Sequence, residues 1–510
     1  MRPRVLRALG YVLAWLVVAV PAWIIGFTHS SSDVVVASHD AVVHPTLDGW
    51  VRVDMGPYVP DLRTKAGGRI GVIVVLEKTT ANSTGELVQR YAAMAARPGA
   101  EERRVTAEVI GLARDSALRA AGIGLVPIGV WLLVGHRRRK ELWRRVRTPD
   151  WRAEVRTAAI AAALLGAVAL LVTQPWRPEH ERASTDVWLP VQDALADVPV
   201  PQDLQDWQVQ GGLLTSDTRR LIASAFDSYD RSKVFFTGIK DKVPSIKGFL
   251  HQPGEGETVA VEVSDRHDNI GMDPVVRKVA DEARATVVLD AGDDTSTGET
   301  WEEFSLDSLD KSFDGYDHRI FIEGNHDNGS FVRRHLSSLG WTHLTGKAIT
   351  PFADVRITGV DDPRSSGLGS WRDATGLSFD EVEKRIGDDV CELDEQGERI
   401  ATLVVHDANL GRTALARGCT DLVLAGHLHR QVGPTRVVGE NGKVGYSYTN
   451  GTTGGAAYAI ALGSKLRRDA EFTFVTYKEG RPVGVQPVTV TVAGELSVAP
   501  YIRLDLSTTE

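Results

Sequence analysis

Between residues 257 and 429 the chain repeats one device, a short β-branched run that stops abruptly on polar residues. "ETVAVEVSD" (257–265), "ATVVLDAGD" (285–293), "HRIFIEGNHD" (318–327), "ITGVDDPR" (357–364), "IATLVVHD" (400–407) and "TDLVLAGHLH" (420–429) all have this form and read as strands. "GMDPVVRKVADEA" (271–283), with Pro in its first turn, reads as a helix between the first two. Alternating strands and helices predict an α/β fold. In such sheets ligands gather outside the carboxyl ends of the strands, so the polar endings stand where a site belongs.

Those endings supply Asp265, His267, Asp293, Asn325, His326, His406, His427 and His429, which include five of the 14 histidines. Carboxylates, an amide oxygen and imidazoles without a thiolate suit Mn, Fe, Zn or similar divalent ions. Six or seven such ligands exceed the needs of one tetrahedral ion and match two ions that share a bridge. A single histidine at a strand end is usually structural. Packing does not account for five runs that all end on ligand types.

In order and composition this series resembles the calcineurin-like metallophosphoesterase superfamily. Asp265/His267, Gly292/Asp293, Gly324 to Asp327, His406 and Gly426 to His429 stand in for its five blocks, over roughly 257–495. The resemblance implies a two-sheet αββα sandwich, with "VGYSYTNGTTGG" and the hairpin at 471–492 in its second sheet. It further implies that Asp265, His267 and His429 hold one metal, that Asn325, His406 and His427 hold the other, and that Asp293 bridges them. A bridging hydroxide would then attack the phosphorus. His326 would protonate the leaving oxygen, and Asp327 would orient that imidazole. The function implied is a dinuclear phosphoesterase acting on mono- or diesters. A non-catalytic, metal-bound receptor or scaffold of the envelope is the alternative.

Three apolar stretches precede this region: 6–27, 117–135 and 158–176. Each is long enough to be read as a membrane span. The segment 136–156 carries nine Lys/Arg against three acids, and Arg2, Arg4 and Arg7 add three positives. By the positive-inside rule the N-terminus and 136–157 lie inside, while 28–116 and everything after 176 lie outside. The expected arrangement is a bacterial cell-membrane protein with three spans, a small extracytoplasmic α+β region and an extracytoplasmic catalytic domain over 257–510. A cleaved signal peptide fits 6–27 as an alternative. The spans carry no buried ionisable residue of the kind a transport pathway requires.

Taking the +6 of 136–156 and the +3 of the N-terminal arginines away from the net −9 leaves −18 for the remainder. That balance argues against a nucleic-acid partner. It leaves the lipid bilayer and a phosphoester, lipid-linked or envelope-derived, as the expected partners. In 28–116, "DGWVRVDMG" and "GRIGVIVVLEK" read as strands and "GELVQRYAAMAARPG" as a helix, while His29, His39 and His44 read as solvated loop residues. Residues 177–256 read as a connector leading to the catalytic domain, with a helix over 216–229. Asp294, Asp407, Arg364 and Arg430 flank the motifs as secondary candidates for contacting substrate. Cys391 and Cys419 are either a disulfide or two unrelated buried thiols.

Overall fold

The structure is a computed structural model that describes residues 2–36, 39–55, 60–79, 99–147, 187–194, 206–210, 231–366, 376–456 and 465–508. The chain divides into two compact units, Met1–Thr80 with Glu101–Arg219 and Ala81–Ala100 with Arg220–Glu510.

The first unit contains helices α1 (Arg2–Thr28), α2 (Gly99–Leu133) and α3 (His136–Arg147). Within them Ala8–Thr28 and Glu101–Leu133 are long and apolar enough to cross a membrane. The pair runs antiparallel, with the indole of Trp15 donating to Ala121 O at 3.0 Å and that of Trp23 to Ala113 O at 3.1 Å. Close approach depends on small residues: a Cβ on Gly124 would stand 2.7 Å from the Trp15 ring. At the far end of α2, Arg139 donates to the carbonyls of Val134 (2.5 Å) and Leu132 (2.6 Å), closing the orphan acceptors of the last turn.

Seven strands complete this unit: β1 (Ser32–Val36), β2 (His39–Thr46), β3 (Trp50–Asp54), β4 (Leu62–Lys65), β5 (Gly71–Thr79), β6 (Trp188–Pro190) and β7 (Gln208–Gln210). Their order is β1-β2-β5-β3-β4-β7-β6. Val36, Ala41, Val43, Val72, Val74 and Leu76 form the core, and Val105 and Val109 of α2 pack on it. The segment expected as a second span is therefore the distal part of a longer helix whose first turns belong to the sheet. Residues 188–190 and 208–210, expected as connector, are sheet strands instead: 208–210 pairs with β4 through Leu62↔Val209 and Arg63↔Gln208, and 188–190 pairs with 208–210. The apolar run 158–176 and the helices expected before Gly99 and over 216–229 lie outside the described residues.

The second unit is mixed α/β. One sheet contains β8 (Glu257–Val263), β9 (Val287–Asp290), β10 (His318–Phe321), β11 (Thr342–His343), β18 (Ala470–Lys478), β19 (Arg481–Val490), β20 (Leu496–Val498) and β21 (Ile502–Arg503). The other contains β12 (Ile349–Phe352), β13 (Val355–Val360), β14 (Ile400–Val405), β15 (Thr420–Ala425), β16 (Val432–Val438) and β17 (Val444–Thr449). The hairpin β18–β19 extends the first sheet by pairing with β8, and only "VGYSYT" joins the second. Both elements were expected in the second sheet, so the hairpin is a correction.

Side-chain alternation divides the cores. Val259, Val261 and Val263 of β8 face a cluster that includes Val275 and Val279 of α4 (Asp273–Glu282), Leu306 of α5 (Glu303–Ser312) and Leu336 of α6 (Phe331–Ser338). Ala260 faces the opposite way, into a core shared with Ile357, Val404, Leu422 and Tyr448 of the other sheet. Across that core Tyr477 OH meets Thr402 Oγ1 at 3.0 Å, and Tyr448 OH meets Thr473 Oγ1 at 2.7 Å. On the outer face of the second sheet lie α7 (Phe379–Glu395) and α8 (Arg412–Arg417), packed on Leu403, Val405 and Val423. A disulfide joins Cys391 of α7 to Cys419 beside β15, which resolves the open question about these two residues.

Because β8, β9 and β10 run parallel, as do β13, β14 and β15, each trio delivers its following residues to one edge. That edge carries the site.

Candidate metal centre

The loops at this edge are built from backbone that ordinary residues avoid. Asp265, His267, Asp293, His427 and His429 all have positive φ, between 45° and 71°. Non-glycine residues in that region are costly and persist only when their surroundings fix them. Two glycines make the fixing possible. A Cβ on Gly426 would stand 2.5 Å from Asp265 Oδ2, and one on Gly324 would overlap the Asp293 carboxylate.

Asp265, His267 and His429 bring one ligand atom each into mutual reach, and so do Asp265, Asp293 and His406. His267 Nε2 and His429 Nε2 lie 3.0 Å apart, with His429 Nε2 3.3 Å from Asp265 Oδ1. Asp293 Oδ2 lies between the groups, 3.1 Å from His406 Nε2 and 3.8 Å from His267 Nε2. Its other oxygen is held by the amide of His326 at 2.7 Å. Asp265 accepts the His427 amide at both oxygens, 3.1 and 2.9 Å. Asp265 is thus common to both groups, and Asp293 stands between them.

Neighbouring carbonyls fix the ring orientations. His406 Nδ1 lies 2.7 Å from Ala291 O and His429 Nδ1 lies 2.9 Å from Ala456 O. A carbonyl only accepts, so each Nδ1 carries the proton and Nε2 faces the centre. Asn325 is buried with its Oδ1 unpartnered, and His406 Nε2 lacks hydrogen-bond geometry despite its approach to Asp293. His427 stands apart from both groups, with its ring 5.1 Å from that of His406 and its Nε2 3.9 Å from Asp407 Oδ2.

The carboxylates and imidazoles of this cluster shift one another's proton affinities. Burial opposes the charge of Asp293, yet His406 and then His267 hold its carboxyl well below the usual range. His406 is pushed down by burial but lifted to about 10 by Asp293. Burial takes His267 down to about 4, leaving its imidazole a neutral donor of the kind metals bind.

His326 differs from the expectation in one respect. Its Nδ1 is 3.0 Å from the carbonyl of Ser296, so Ser296 orients the ring, not Asp327. The Asp327 carboxylate instead accepts from the amides of Asp293 (2.8 Å), Gly324 (2.9 Å) and Thr295 (3.0 Å) and from the Thr295 hydroxyl (2.7 Å). Burial, with Asp294 and Asp293 nearby, pushes it up to about 7. Its place is to hold the Asp293 loop against the Gly324 turn.

Two carboxylates hold Ser296 in place. Asp268 Oδ2 accepts its amide at 3.1 Å and its hydroxyl at 2.5 Å. Glu302 accepts the amides of Ser296 (2.8 Å), Thr297 (2.9 Å) and Glu299 (2.8 Å) and the Thr297 hydroxyl (2.7 Å). Asp268 follows a ligand directly in "SDRHD", a faint signal; Glu302 offers none. Among the secondary candidates, Asp294 is buried and paired with Arg266 at 2.9 Å. Arg364 binds Asp362 (2.7 Å) and Asp407 (2.9 Å) over the ring of Phe379, and Arg430 is exposed. Among the described residues, His29, His39 and His44 join no ligand group.

No family model matches the chain, and no curated protein matches it. Among solved structures it is similar to the Haemophilus influenzae NAD nucleotidase NadN, at 14% identity and a TM-score of 0.31, over 50% of each chain. It is also similar to the Thermus thermophilus sulfate thiohydrolase SoxB, at 14% identity and a TM-score of 0.34, over 49% of this chain and 59% of that one. A third is an archaeal phosphodiesterase, at 11% identity and a TM-score of 0.27, over 48% of this chain and 99% of that one. The chain thus covers less than two thirds of the first two. Likenesses this distant assign nothing to this chain.

Proposed function

We propose that the second unit is a metal-dependent phosphoesterase acting on phosphate mono- or diesters. The observation that carries the reading is the convergence of lone pairs. Two imidazole nitrogens 3.0 Å apart share one small volume with the carboxylate of Asp265, and a second group, Asp265, Asp293 and His406, adjoins it, while the Oδ1 of the buried Asn325 has no partner. Such a donor set is stable only around cations, because leaving buried polar atoms unpaired is costly. By donor type, two divalent ions (Mn, Fe or Zn) fit. Asp265, His267 and His429 would hold one, Asn325, His406 and His427 the other, with Asp293 between. When bound, the ions would supply Lewis acidity and an activated water.

The protein's own part is orientation and proton supply. Ser296 O keeps the proton of His326 on Nδ1, which leaves Nε2 to carry the proton that the leaving group needs. In hydrolysis a water oxygen bonds to phosphorus and the bond from phosphorus to the alcohol oxygen breaks; that oxygen takes the Nε2 proton of the doubly protonated His326 ring, and the proton released by the water restores it. Asp268 and Glu302 keep Ser296 in place, and Asp327 keeps the two ligand loops together.

The reading includes an anchored, extracytoplasmic enzyme with three spans. The Cys391–Cys419 bond supports an oxidising compartment. Parity supports the third span. β1–β5 and β6–β7 share one sheet, so they lie on one side of the membrane. A chain that leaves that side along α2 must return before Trp188. The bilayer is then a partner, and lipid-linked or envelope-derived esters are within reach.

The test is hydrolysis of nitrophenyl phosphate and bis-nitrophenyl phosphate by the purified full chain. Chelator should abolish turnover and Mn²⁺ should restore it. Undiminished hydrolysis in chelator would refute the metal-dependent reading.

A further inference from the structure

Beside His326 lies a cavity of about 720 Å³, walled chiefly by Ser296, Thr297, Asn328, Ser365 and Ser366. Its volume is that of a small-molecule site. Because the His326 ring borders it, it lies where the alcohol portion of an ester would rest while His326 protonates the departing oxygen. Its wall is unusual in one chemical respect. The Ser296 hydroxyl donates to Asp268 Oδ2 at 2.5 Å, and that of Thr297 donates to Glu302 Oε2 at 2.7 Å. The Ser366 hydroxyl donates to Asn325 O at 3.0 Å, and that of Ser365 donates to Asn328 Oδ1. Asn328 in turn gives its amide protons to Thr297 O (3.1 Å) and Ser366 O (3.4 Å).

Apart from His326, then, the polar side chains of this wall have spent their protons inside the protein. A hydroxyl that has donated keeps lone pairs and can only accept from a ligand. Glu299, also on the wall, adds a carboxylate. Among the described lining residues there is no Lys or Arg to pair a second phosphate and no Phe, Tyr or Trp to stack a base.

Resting on the phosphoesterase reading, we propose that this cavity is the leaving-group subsite and that it selects donor-rich alcohols: polyols and amino-alcohols over plain alkyl, carboxylated or phosphorylated ones. A polyol offers several hydroxyl protons to a wall of acceptors. A carboxylate or a further phosphate offers none and meets like polarity. Each hydrogen bond gained is worth about two- to tenfold, so two or three together give a preference on the order of tenfold to a hundredfold.

The experiment uses the full chain with Mn²⁺ and four monoesters that share one phosphate: glycerol, ethanolamine, propyl and glycolate phosphates. The expected result is kcat/KM at least about tenfold higher for the glycerol and ethanolamine esters than for the propyl ester, with the glycolate ester lowest. In Ser365→Ala, which deletes one acceptor, the ratio of glycerol to propyl ester should fall several-fold. A glycolate ester cleaved as well as the glycerol ester, or a ratio unmoved in both Ser365→Ala and Ser366→Ala, overturns the proposal. If none of the four monoesters is cleaved, the subsite is judged on binding alone, while the phosphoesterase reading stands or falls on the two nitrophenyl esters. Saturation-transfer NMR should then detect glycerol and ethanolamine on the wild-type chain, with the signal lost in the cavity-filling Ser365→Phe. Absence of that signal from the wild type overturns it.

Discussion

Glu262 provides a test of the core in which the sign and size follow from position. It sits on β8 two residues after Ala260, so its side chain enters the core between the two sheets. It is fully buried, and neither carboxyl oxygen has a hydrogen-bond partner. Burial pushes its carboxyl well above the usual 4.5, and Asp265 adds to the effect. The folded chain therefore keeps Glu262 protonated at a pH where the unfolded chain has released the proton. Stability is then greatest below the unfolded value and is lost as pH rises toward the folded one. Each pH unit in that window costs about 1.4 kcal/mol, or about 3 kcal/mol two units above the unfolded value. Glu262→Gln keeps the shape and cannot ionise. We expect wild type and variant to coincide near pH 4 and to diverge with rising pH, the variant becoming the more stable. Urea unfolding of the full chain in detergent, in chelator, followed by fluorescence of the buried Trp301 and Trp341, measures this. Parallel curves, or a variant that loses ground as pH rises, would refute the placement of a neutral acid between the sheets.

Within the site, Asn325→Ala is expected to lower metal content and rate together. His326→Ala should retain metal and slow hydrolysis by about 10²–10⁴, with alkyl esters losing more than nitrophenyl esters; elemental analysis and paired rates decide. Glu302→Ala, which frees the loop carrying Ser296, should reproduce that leaving-group dependence at about a tenth of the size or less, with metal content unchanged. For topology, a reporter fused after Ser184 should be active outside and one fused after Arg147 inside; the reverse at either point would remove the three-span arrangement.

The ligand edge was legible because an apolar strand that ends on Asp, Asn or His exposes those residues at a predictable place. The direction of a side chain within a turn was not legible. Asp327 follows His326, which suggests a pair, yet the turn at Gly324 aims its carboxylate at amides 32 to 34 residues earlier. A partner such as Glu302 meets Ser296 only through the fold, and no spacing announces it. The hairpin β18–β19 could not be assigned to a sheet from its pattern, because strands of both sheets alternate or run apolar alike. β6 and β7 are three residues each, too short for any period to register. The first turns of α2 carry Glu101, Glu102, Arg103 and Arg104, which concealed their continuity with the apolar run that follows.

The pairing of β7 with β4 also sets an order of events during synthesis. β1–β5 emerge first and form a sheet whose β4 edge is open. The strand that covers this edge, β7, comes roughly 140 residues after Lys65, beyond α2 and the basic α3. At the usual rates of translation that is a delay of about 7–28 s. Throughout it, unpaired backbone groups of β4 are available to any other extended chain. A nascent chain stalled between α3 and Gln208 would present this edge indefinitely.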